Sequence, residues 1–255
     1  AYFIAGTGRP GPVLIDIPKD IQTEKISMAE YNKLYEVPIH LEGYDPTYKG
    51  HQGQIKKAAT LIKNAKRPLI IAGAGVLKSG AMDELKELAE KAQIPVTNTL
   101  VGLGGFPGDH ELALGMVGMH GSVAANNCTE EADLVIAAGI RFHDRITGHP
   151  DFFCKKAKII HIDIDPAEID KNVTINVPIV GDLKRVLTEL NALVEPVTHE
   201  TWIEQIREWQ KEYPMVVPES TNGELHAQYV LSELNKIAKD DAIIVTDVGQ
   251  HQMWA

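Results

Sequence analysis

The chain has 255 residues, and its 25 Lys and Arg against 35 Asp and Glu give a formal net charge of −10 at pH 7. An acidic chain lacks the broad basic field that nucleic acids and anionic membranes attract, so we expect neither as a partner. No stretch approaches the roughly 20 consecutive apolar residues that cross a bilayer. The length suffices for one large or two small domains with a sizeable core.

Cys128 and Cys154 are the only two cysteines. Their spacing fits neither a metal site nor a disulfide framework, which is typical of proteins from a reducing compartment. The sequence does not begin with Met, and both of its ends read like the interior of a longer chain. We therefore expect a cytoplasmic protein of which these residues are one part.

The first predicted element is a short apolar run at 11–18 (GPVLIDIP), bounded by Gly-Pro and Pro. Such a run predicts a buried strand. From Gln22 to Gly50 the pattern gives way to polar and aromatic residues with Pro38 and Pro46 among them. That composition is typical of a linker between domains.

Four helices are predicted in the middle of the chain, at 54–65, 79–92, 120–132 and 183–194, and apolar residues fall on one face of the first, the second and the last. Ser79 is the predicted N-cap of the second helix, and Asp182 is the predicted N-cap of the last. The residues predicted to face inward are Ile55, Ala58, Ala59, Ile62, Ala65, Met82, Leu85, Ala89, Ala92, Leu183, Val186, Leu187 and Leu190.

Short continuous apolar runs alternate with these helices and predict buried strands. They lie at 67–73, 94–100, 133–139, 157–165 and 178–182. Continuous apolar strands between amphipathic helices indicate a parallel sheet that is covered on both faces. We therefore predict an α/β fold: a three-layer, doubly wound, mainly parallel Rossmann-like sheet.

Beyond this alternation, a helix is predicted to begin at Thr201, where Thr201 and Glu204 fit a capping box. Prolines at 196, 214 and 218 surround it and indicate a second linker. A last helix is predicted at 225–239, and it leads into a predicted strand at 242–247 (AIIVTD).

Gly73-Ala74-Gly75 directly follows a predicted strand, as a dinucleotide-binding turn does. The complete fingerprint needs a third glycine where Lys78 stands, and an acidic residue where the next strand ends in Thr97 and Asn98. These differences weaken the interpretation as an NAD site. A tight strand-to-helix turn without a ligand is the alternative.

The stretch GIRFHDRITG (139–148) comes immediately after another predicted strand. Ligands of parallel α/β sheets bind beyond the carboxyl ends of the strands, and a guanidinium binds phosphate oxygens in pairs. Arg141 and Arg145 therefore suit a diphosphate. An ion pair with Asp144, or a solvated surface, is the alternative.

Two further stretches could contribute to the same edge of the sheet. In GMVGMHGS (115–122), the glycines allow close approach to a flat ligand and the methionines supply an apolar wall. His120 could instead be a helix cap, and it has no second metal ligand at helical spacing. In HIDID, Asp163 and Asp165 could form a carboxylate pair for acid–base chemistry or metal binding, or they could contact a ribose hydroxyl. The alternative for Asp165 is a role as the cap of a helix that begins at Pro166.

Six motifs, taken in order, resemble those of the catalytic subunits of the acetolactate synthase (acetohydroxyacid synthase) family of thiamine-diphosphate enzymes. They are GRPGPVLIDIPKDIQ, NTLVGLGGFP, GMVGMHGSVAAN, GIRFHDRITG, HIDIDPAEIDKN and TDVGQHQMWA. Each motif alone is weak or moderate. The ordered set spreads over nearly the whole chain and is highly specific.

The resemblance implies a division of the chain into parts of a three-domain enzyme. Residues 1–24 would end the pyrimidine-binding domain, with a linker at 25–50. Residues 51–195 would form the central FAD-binding domain, with a helix-containing linker at 196–222. Residues 223–255 would begin the thiamine-diphosphate-binding domain.

The resemblance also implies the reaction of the full enzyme, which belongs to branched-chain amino-acid biosynthesis. Pyruvate is decarboxylated on thiamine diphosphate in the presence of Mg²⁺, and the two-carbon unit is joined to a second 2-oxo acid, pyruvate or 2-oxobutyrate. FAD has no obligatory redox role in that reaction. A homo-oligomer (dimer or tetramer) and a small regulatory subunit are implied as well.

Residue by residue, the resemblance implies FAD contacts at strand ends and in glycine-containing loops. They are Arg9, Gly73, Gly75, Thr99, Leu100, Val101, Val117, Met119, His120, Gly139, Arg141, Arg145, Asp163, Ile164, Asp182 and Leu183. The loop implied to approach thiamine diphosphate holds Val248, Gly249, Gln250 and His251.

The sequence departs from the family in three places. The family's activating glutamate, and its magnesium-binding Asp and Asn, have no counterpart here, so the resemblance implies no catalytic and no metal-binding residue in this chain. The family usually has Asp-Asp where this chain has His143-Asp144. We therefore expect that the chain alone forms no acetolactate.

Other functions stay open from the residues themselves. They are a pyruvate oxidase-like or other thiamine-diphosphate enzyme, a nicotinamide-dependent dehydrogenase, and a non-catalytic nucleotide-binding module. Flavin absorbance would support a part of a thiamine-diphosphate enzyme that binds FAD, and tight binding of NADH would favour the dehydrogenase.

Overall fold

A computed structural model describes residues 1–34, 41–218, 223–238 and 242–254. At its centre, six strands form one sheet in which all neighbours are parallel. The spatial order is β3-β2-β1-β4-β5-β6. The strands are β1 Pro68–Ala72, β2 Val96–Asn98, β3 Ala113–Met116, β4 Leu134–Ala138, β5 Lys158–Asp163 and β6 Val177–Val180.

This order makes the sheet doubly wound. The chain moves outward from β1 through β2 to β3, returns to the middle at β4, and moves outward in the other direction to β6. The connections that follow β1 and β4 therefore lead toward opposite edges of the sheet. A crevice opens at the carboxyl ends of these two strands, which is where sheets of this kind bind ligands.

Helices lie before, between and after the strands. They are α1 Tyr2–Gly6, α2 Lys19–Thr23, α3 Met28–Lys33, α4 Gln52–Asn64, α5 Ala74–Ser79, α6 Met82–Lys91, α7 Val123–Glu131, α8 Asp144–Thr147, α9 Leu183–Leu193, α10 Glu200–Glu212, α11 Ala227–Ile237 and α12 Gln250–Trp254. None of the described helices is both long enough and apolar enough to cross a membrane.

Two hydrophobic clusters, one on each face of the sheet, confirm the three-layer prediction. On one face, Ile70, Ile136 and Ile160 pack with residues of α4, α6 and α9. On the other, Val135 and Ile159 pack with residues of α7 and α10. β1 and β4 are buried along their whole length, which is why these strands read as unbroken apolar runs.

Local signals predicted several elements correctly. Ile55, Ala58 and Ile62 are the buried face of α4. The Asp182 carboxylate accepts a hydrogen bond from the Arg185 backbone N–H at 3.1 Å and caps α9. The predicted inward residues of α9 are all buried.

The predicted start of α6 was wrong. Ser79 ends α5, and its hydroxyl donates to the Gly75 carbonyl at 2.7 Å instead of capping the next helix. Gly80 adopts a left-handed conformation (φ 63°) that ends α5. Helix α6 therefore begins only at Met82, whose side chain is 40% exposed and not inward as predicted.

The predicted capping box at Thr201 was also wrong. Helix α10 begins one residue earlier, with His199 as its N-cap and no side-chain cap bond. The His199 carbonyl accepts from the Trp202 and Ile203 backbone N–H groups. Because His199 and Trp202 are both buried, packing rather than side-chain capping fixes where this helix starts.

The two predicted terminal strands do not form. Residues 11–18 and 242–247 have no assigned strand, and Leu14 and Ile243 are 93% and 90% exposed. A strand needs a hydrogen-bonded neighbour to bury its apolar side chains, and none of the described strands pairs with either segment.

Some elements were missed or differ in extent. The short strand β3 and helix α5 were not predicted, and α3 lies within the predicted linker with a capping box from Ser27 and Glu30. The last predicted helix is observed as Ala227–Ile237. Its predicted end at Lys239 lies outside the described residues.

Candidate functional site

Two adjoining cavities open at the carboxyl edge of the sheet. The first has a volume of about 570 Å³ and lies over the ends of β1, β4 and β5. The second has a volume of about 390 Å³ and lies between the loop after β3, the α8 segment and the α12 segment. Val101, His143 and Ile146 line both, so the two cavities share a wall.

Most residues that the sequence predicted for a cofactor line one of these cavities. In the first are Arg9, Gly73, Gly75, Thr99, Val101, Gly139, Arg141, Asp163, Ile164, Asp182 and Leu183. In the second are Leu100, Val101, Val117, Met119, His120, Arg145, Val248, Gly249 and Gln250. His251 lines neither, although it directly follows Gln250 in α12.

Glycines bring the loops after β1 and β4 into direct contact. The Gly75 N–H donates to the Gly139 carbonyl at 3.1 Å. A Cβ atom on Gly73 would lie 2.3 Å from that carbonyl oxygen, and one on Gly139 would lie 2.5 Å from the Gly75 Cα. These glycines are therefore required by the contact between the two loops, whether or not a ligand binds. The same contact leaves bare backbone along the cavity.

The two arginines of the loop after β4 differ in their partners. Arg141 is exposed, and within the described residues its guanidinium has no hydrogen bond or ion pair. Arg145 lies 3.9 Å from Asp144, and both side chains are largely exposed. A solvent-exposed pair at that distance contributes little stability. Both cations are thus free to meet an anionic ligand.

His143 is the residue at which the sequence departs from the pattern that the resemblance implied. Its Nδ1 accepts a weak hydrogen bond from the Arg145 backbone N–H at 3.3 Å and caps α8. A carboxylate could accept the same bond. The structure therefore gives His143 a local role in starting α8, beside its place in the wall of both cavities.

Arg9 reaches the first cavity from the amino-terminal segment. Its guanidinium pairs with Asp165 at 3.1 Å and with Glu168 at 3.0 Å. The Tyr48 hydroxyl accepts from the Gly8 backbone N–H at 2.9 Å and holds the same segment. Arg9 therefore lies at the cavity wall with its charge already balanced by two carboxylates.

The acidic residues of HIDID have separate roles. Asp163 is 8% exposed, and burial raises the pKa of its carboxyl group. Its Oδ1 accepts from the Asp165 backbone N–H at 2.9 Å. Asp165 accepts from the Ala167 N–H at 3.0 Å, so it is the cap that the sequence left as an alternative. Asp163 is the one that lines the cavity.

Thr99 carries a polar atom that the protein leaves unpaired. The residue is 3% exposed, and within the described residues its Oγ1 has no hydrogen-bond partner. Buried hydroxyls in folded proteins almost always have one. Since Thr99 lines the first cavity, a polar ligand group there would satisfy it, and the site fits a nucleotide on this observation.

The second cavity has a more apolar wall, built from the loop after β3. Gly118 adopts a positive φ of 103°, and a Cβ atom there would lie 2.4 Å from the Arg145 carbonyl oxygen. The Met119 N–H donates to that carbonyl at 3.0 Å. The glycine therefore joins this loop to α8. It is Ser122, not His120, that caps the following helix α7.

Among the described residues there is neither a cluster of metal ligands nor an exposed thiol. Across the described ranges, no group of three or more His, Cys, Asp and Glu side chains could hold a metal ion. Cys128 and Cys154 are buried and free. Burial raises the pKa of both thiols, so neither is a thiolate nucleophile at neutral pH.

Sequence reasoning missed several cavity residues. Tyr48 lies in the predicted linker, and Lys78 was noted only as a missing glycine, yet both line the first cavity. Ile140 and Ile146 line it from the arginine-containing loop. Their position beside predicted contacts could have found the last two, but no sequence signal marks Tyr48.

Comparisons with known proteins agree with this architecture. Residues 55–190 match the family model described as thiamine pyrophosphate enzyme, central domain. A probable acetolactate synthase large subunit from Methanocaldococcus jannaschii is 51% identical over 265 aligned residues, covering 100% of this chain and 44% of that protein. An acetolactate synthase from Mycobacterium bovis is 45% identical, covering 100% of this chain and 41% of that protein.

The chain spans less than half the length of these curated relatives. The family model covers more than half of the chain, from α4 through most of α9. It therefore includes the whole six-stranded sheet and both loops that meet at Gly75 and Gly139. The chain belongs to the thiamine pyrophosphate enzyme family, and its sheet is that family's central domain.

Proposed function

We propose that this chain supplies the FAD-binding central part of an acetolactate synthase. The observation that carries the proposal is the pair of adjoining cavities, which gathers the predicted FAD residues from segments between Arg9 and Leu183 at one edge of the sheet. The similarity of the whole chain to proteins named acetolactate synthase supports the same function.

Each part of FAD has suitable groups in the two cavities. Arg141 would hold the diphosphate, since a guanidinium binds phosphate oxygens in pairs, and the absence of side chains at Gly73 and Gly75 would let the diphosphate approach the backbone closely. Asp163 and Asp182 would accept hydrogen bonds from ribose hydroxyls. The second cavity would receive the flavin ring against the apolar wall that includes Val117 and Met119.

The rest of the reaction would depend on groups outside the sheet. Thiamine diphosphate, when bound with Mg²⁺, supplies the carbanion chemistry that decarboxylates pyruvate and transfers the two-carbon unit. Val248, Gly249, Gln250 and His251 would lie toward it. In the full enzyme we propose pyruvate and 2-oxobutyrate as substrates, a homo-oligomer, a small regulatory subunit and a cytoplasmic location.

A flavin titration tests the proposal. We expect the purified chain to bind FAD with quenching of flavin fluorescence, and Arg141→Ala to weaken binding by about tenfold to a hundredfold, the loss typical of a charge-assisted hydrogen bond. Arg207→Ala, which removes an exposed arginine of α10 paired with Glu111, is the control and should bind like the unchanged chain. Tight binding of NADH without binding of FAD would favour a nicotinamide-dependent enzyme instead.

A second assay tests whether the chain, although it is proposed to bind FAD, lacks catalytic activity by itself. We expect the chain, supplied with pyruvate, thiamine diphosphate and Mg²⁺, to form no acetolactate, because the family's activating glutamate and magnesium ligands have no counterpart among its residues. Colorimetric detection of acetolactate above a protein-free blank would contradict this part of the proposal.

A further inference from the structure

The loop after β4, residues 139–143, is held in an uncommon backbone conformation. Gly139 has a positive φ of 63°, and Phe142 has a positive φ of 40°. A left-handed conformation is a genuine outlier for a bulky residue such as phenylalanine. Phe142 is nevertheless 97% buried. Such a conformation persists only where the surrounding structure imposes it.

Three hydrogen bonds to backbone carbonyls impose the conformation. The Gly139 carbonyl accepts from the Gly75 N–H at 3.1 Å. The Ile140 carbonyl accepts from His161 Nε2 at 2.9 Å, and the Phe142 carbonyl accepts from Asn172 Nδ2 at 3.0 Å. Arg141 lies between the second and third of these bonds, with its side chain in the wall of the first cavity.

His161 is well suited to this task. It lies in β5, it is fully buried, and the Phe142 ring packs against it edge to face at 5.0 Å. Burial lowers the pKa of the imidazole, so the ring is neutral and the hydrogen on Nε2 is donated to Ile140. Within the described residues Nδ1 has no partner, which agrees with a bare nitrogen at that position.

We propose that His161 and Asn172 are positioning residues for the flavin nucleotide, holding the loop at 139–143 so that Arg141 projects into the cavity. Neither residue reaches the ligand in this scheme; both act through the backbone on either side of Arg141. The inference rests on the proposed function, because it assigns these residues to the same cofactor site.

The first test measures the loop without any cofactor. Trypsin cleaves after arginine, so the rate of cleavage at Arg141 in the full chain reports how firmly the loop is held. We expect His161→Leu to accelerate this cleavage by about tenfold, as expected for losing one buried hydrogen bond. His161→Gln retains a donor at similar reach and should restore slow cleavage.

A matched control distinguishes the loss of the His161 hydrogen bond from the general effect of replacing a buried histidine. His199→Leu makes the same chemical change at a buried histidine near the amino ends of the strands, where Nε2 has no partner among the described residues. We expect it to leave cleavage at Arg141 unchanged. Equal acceleration by His161→Leu and His199→Leu would overturn the inference, because it would indicate general destabilisation.

The second test measures FAD affinity. We expect His161→Leu and Asn172→Ala each to raise the Kd for FAD by about fivefold to tenfold, and His161→Gln to stay within about twofold of the unchanged chain. Asn172 is exposed, so its substitution is tolerated by the fold even if that of His161 is not. Thr174→Ala, at an exposed position two residues away, should have no effect.

A double-mutant cycle tests whether His161 affects FAD binding through Arg141. If His161 acts through Arg141, then adding His161→Leu to Arg141→Ala should raise the Kd by much less than it does alone. Full additivity would overturn the inference. Unchanged FAD binding by His161→Leu and Asn172→Ala would overturn it while leaving the proposed function intact, whereas failure of the unsubstituted chain to bind FAD would overturn both.

Discussion

The two edges of the sheet differ in the polar side chains that line them and in the partners of those side chains. At the amino edge, the Asp133 carboxylate accepts from the Lys66 and Arg67 backbone N–H groups at 2.8 and 2.9 Å, and the Trp202 indole donates to the Pro68 carbonyl at 3.1 Å. At the carboxyl edge, Arg141 and the Thr99 hydroxyl have no partner among the described residues.

This difference indicates that the side chains able to bind a ligand lie at the carboxyl edge. At the amino edge, the Asp133 carboxylate and the Trp202 indole are bonded to the backbone and stabilise the fold, and His199 Nε2, which has no partner among the described residues, is buried there. At the carboxyl edge, backbone contacts hold the loops, and side chains are left for a ligand. The larger concavity, about 1070 Å³, is the one at the amino edge, between α7 and α10, so size alone does not locate the site.

The largest effect should come from the amino edge and should concern stability alone. Trp202 is 4% exposed and packs edge to face on Trp209. We expect Trp202→Ala to lower the free energy of unfolding by about 3 to 5 kcal/mol, because it removes a buried aromatic ring and leaves a cavity. Urea unfolding followed by circular dichroism measures this loss.

The control for that substitution is Trp209→Ala, which removes a less buried ring of the same helix and should cost less. Neither variant should change the Kd for FAD of the folded protein. A loss of affinity with Trp202→Ala as large as that with Arg141→Ala would break the division between the two edges.

The next largest effect should come from a substitution at the carboxyl edge, which should lower both the stability of the chain and its affinity for FAD. In Gly139→Ala the new Cβ would lie 2.5 Å from the Gly75 Cα, on a residue with positive φ. We expect the free energy of unfolding to fall by about 3 kcal/mol and FAD binding to weaken with it, because backbone must move. Urea unfolding and flavin titration on the same sample measure both.

Gly108→Ala is the matched control, since a Cβ atom there would meet nothing within 4 Å. It should change the free energy of unfolding by less than about 0.5 kcal/mol. If Gly139→Ala folded and bound FAD like this control, the close contact of the two loops would not be required.

The smallest effect should be a pH dependence shared by both edges. Burial lowers the pKa of His161 and of His199 below the ordinary value of 6.5. Below that pH the unfolded chain binds protons that the folded chain does not, so stability is complete above about pH 6.5 and falls as the pH drops toward the folded pKa values. Each histidine contributes at most about 1.4 kcal/mol per pH unit.

Single substitutions by Gln test this dependence in urea titrations between about pH 5.5 and about pH 8. Either substitution should flatten the fall in stability below about pH 6.5, where histidine normally becomes charged. A slope that persists in the double variant would mean that other groups cause it.

The sequence predicted the core of the fold well because its signals there are local. Unbroken apolar runs marked β1 and β4, and Asp182 marked the start of α9. The errors arose where tertiary packing decides. Ser79 is a plausible cap that lies two residues before the observed N-cap of α6, Ala81, and the segment at 242–247 has strand composition but no neighbouring strand in the described chain.

The candidate site was predicted only in part, for a related reason. Glycines and arginines directly after strands could be placed at the carboxyl edge from the pattern alone. His161 and Asn172 could not, because they act on the backbone of the loop at 139–143 from 18 or more residues away along the chain. That relation exists only in three dimensions.

The order of the strands has a consequence for how the molecule folds. Ala72 and Ala138 are neighbours in the sheet, so the central pairing closes a long loop before the crevice exists. Proteins dominated by such distant pairings fold slowly. Cofactor binding would then require this pairing to be complete, and a ligand at a hundred times its Kd would favour the folded chain by about 2.7 kcal/mol.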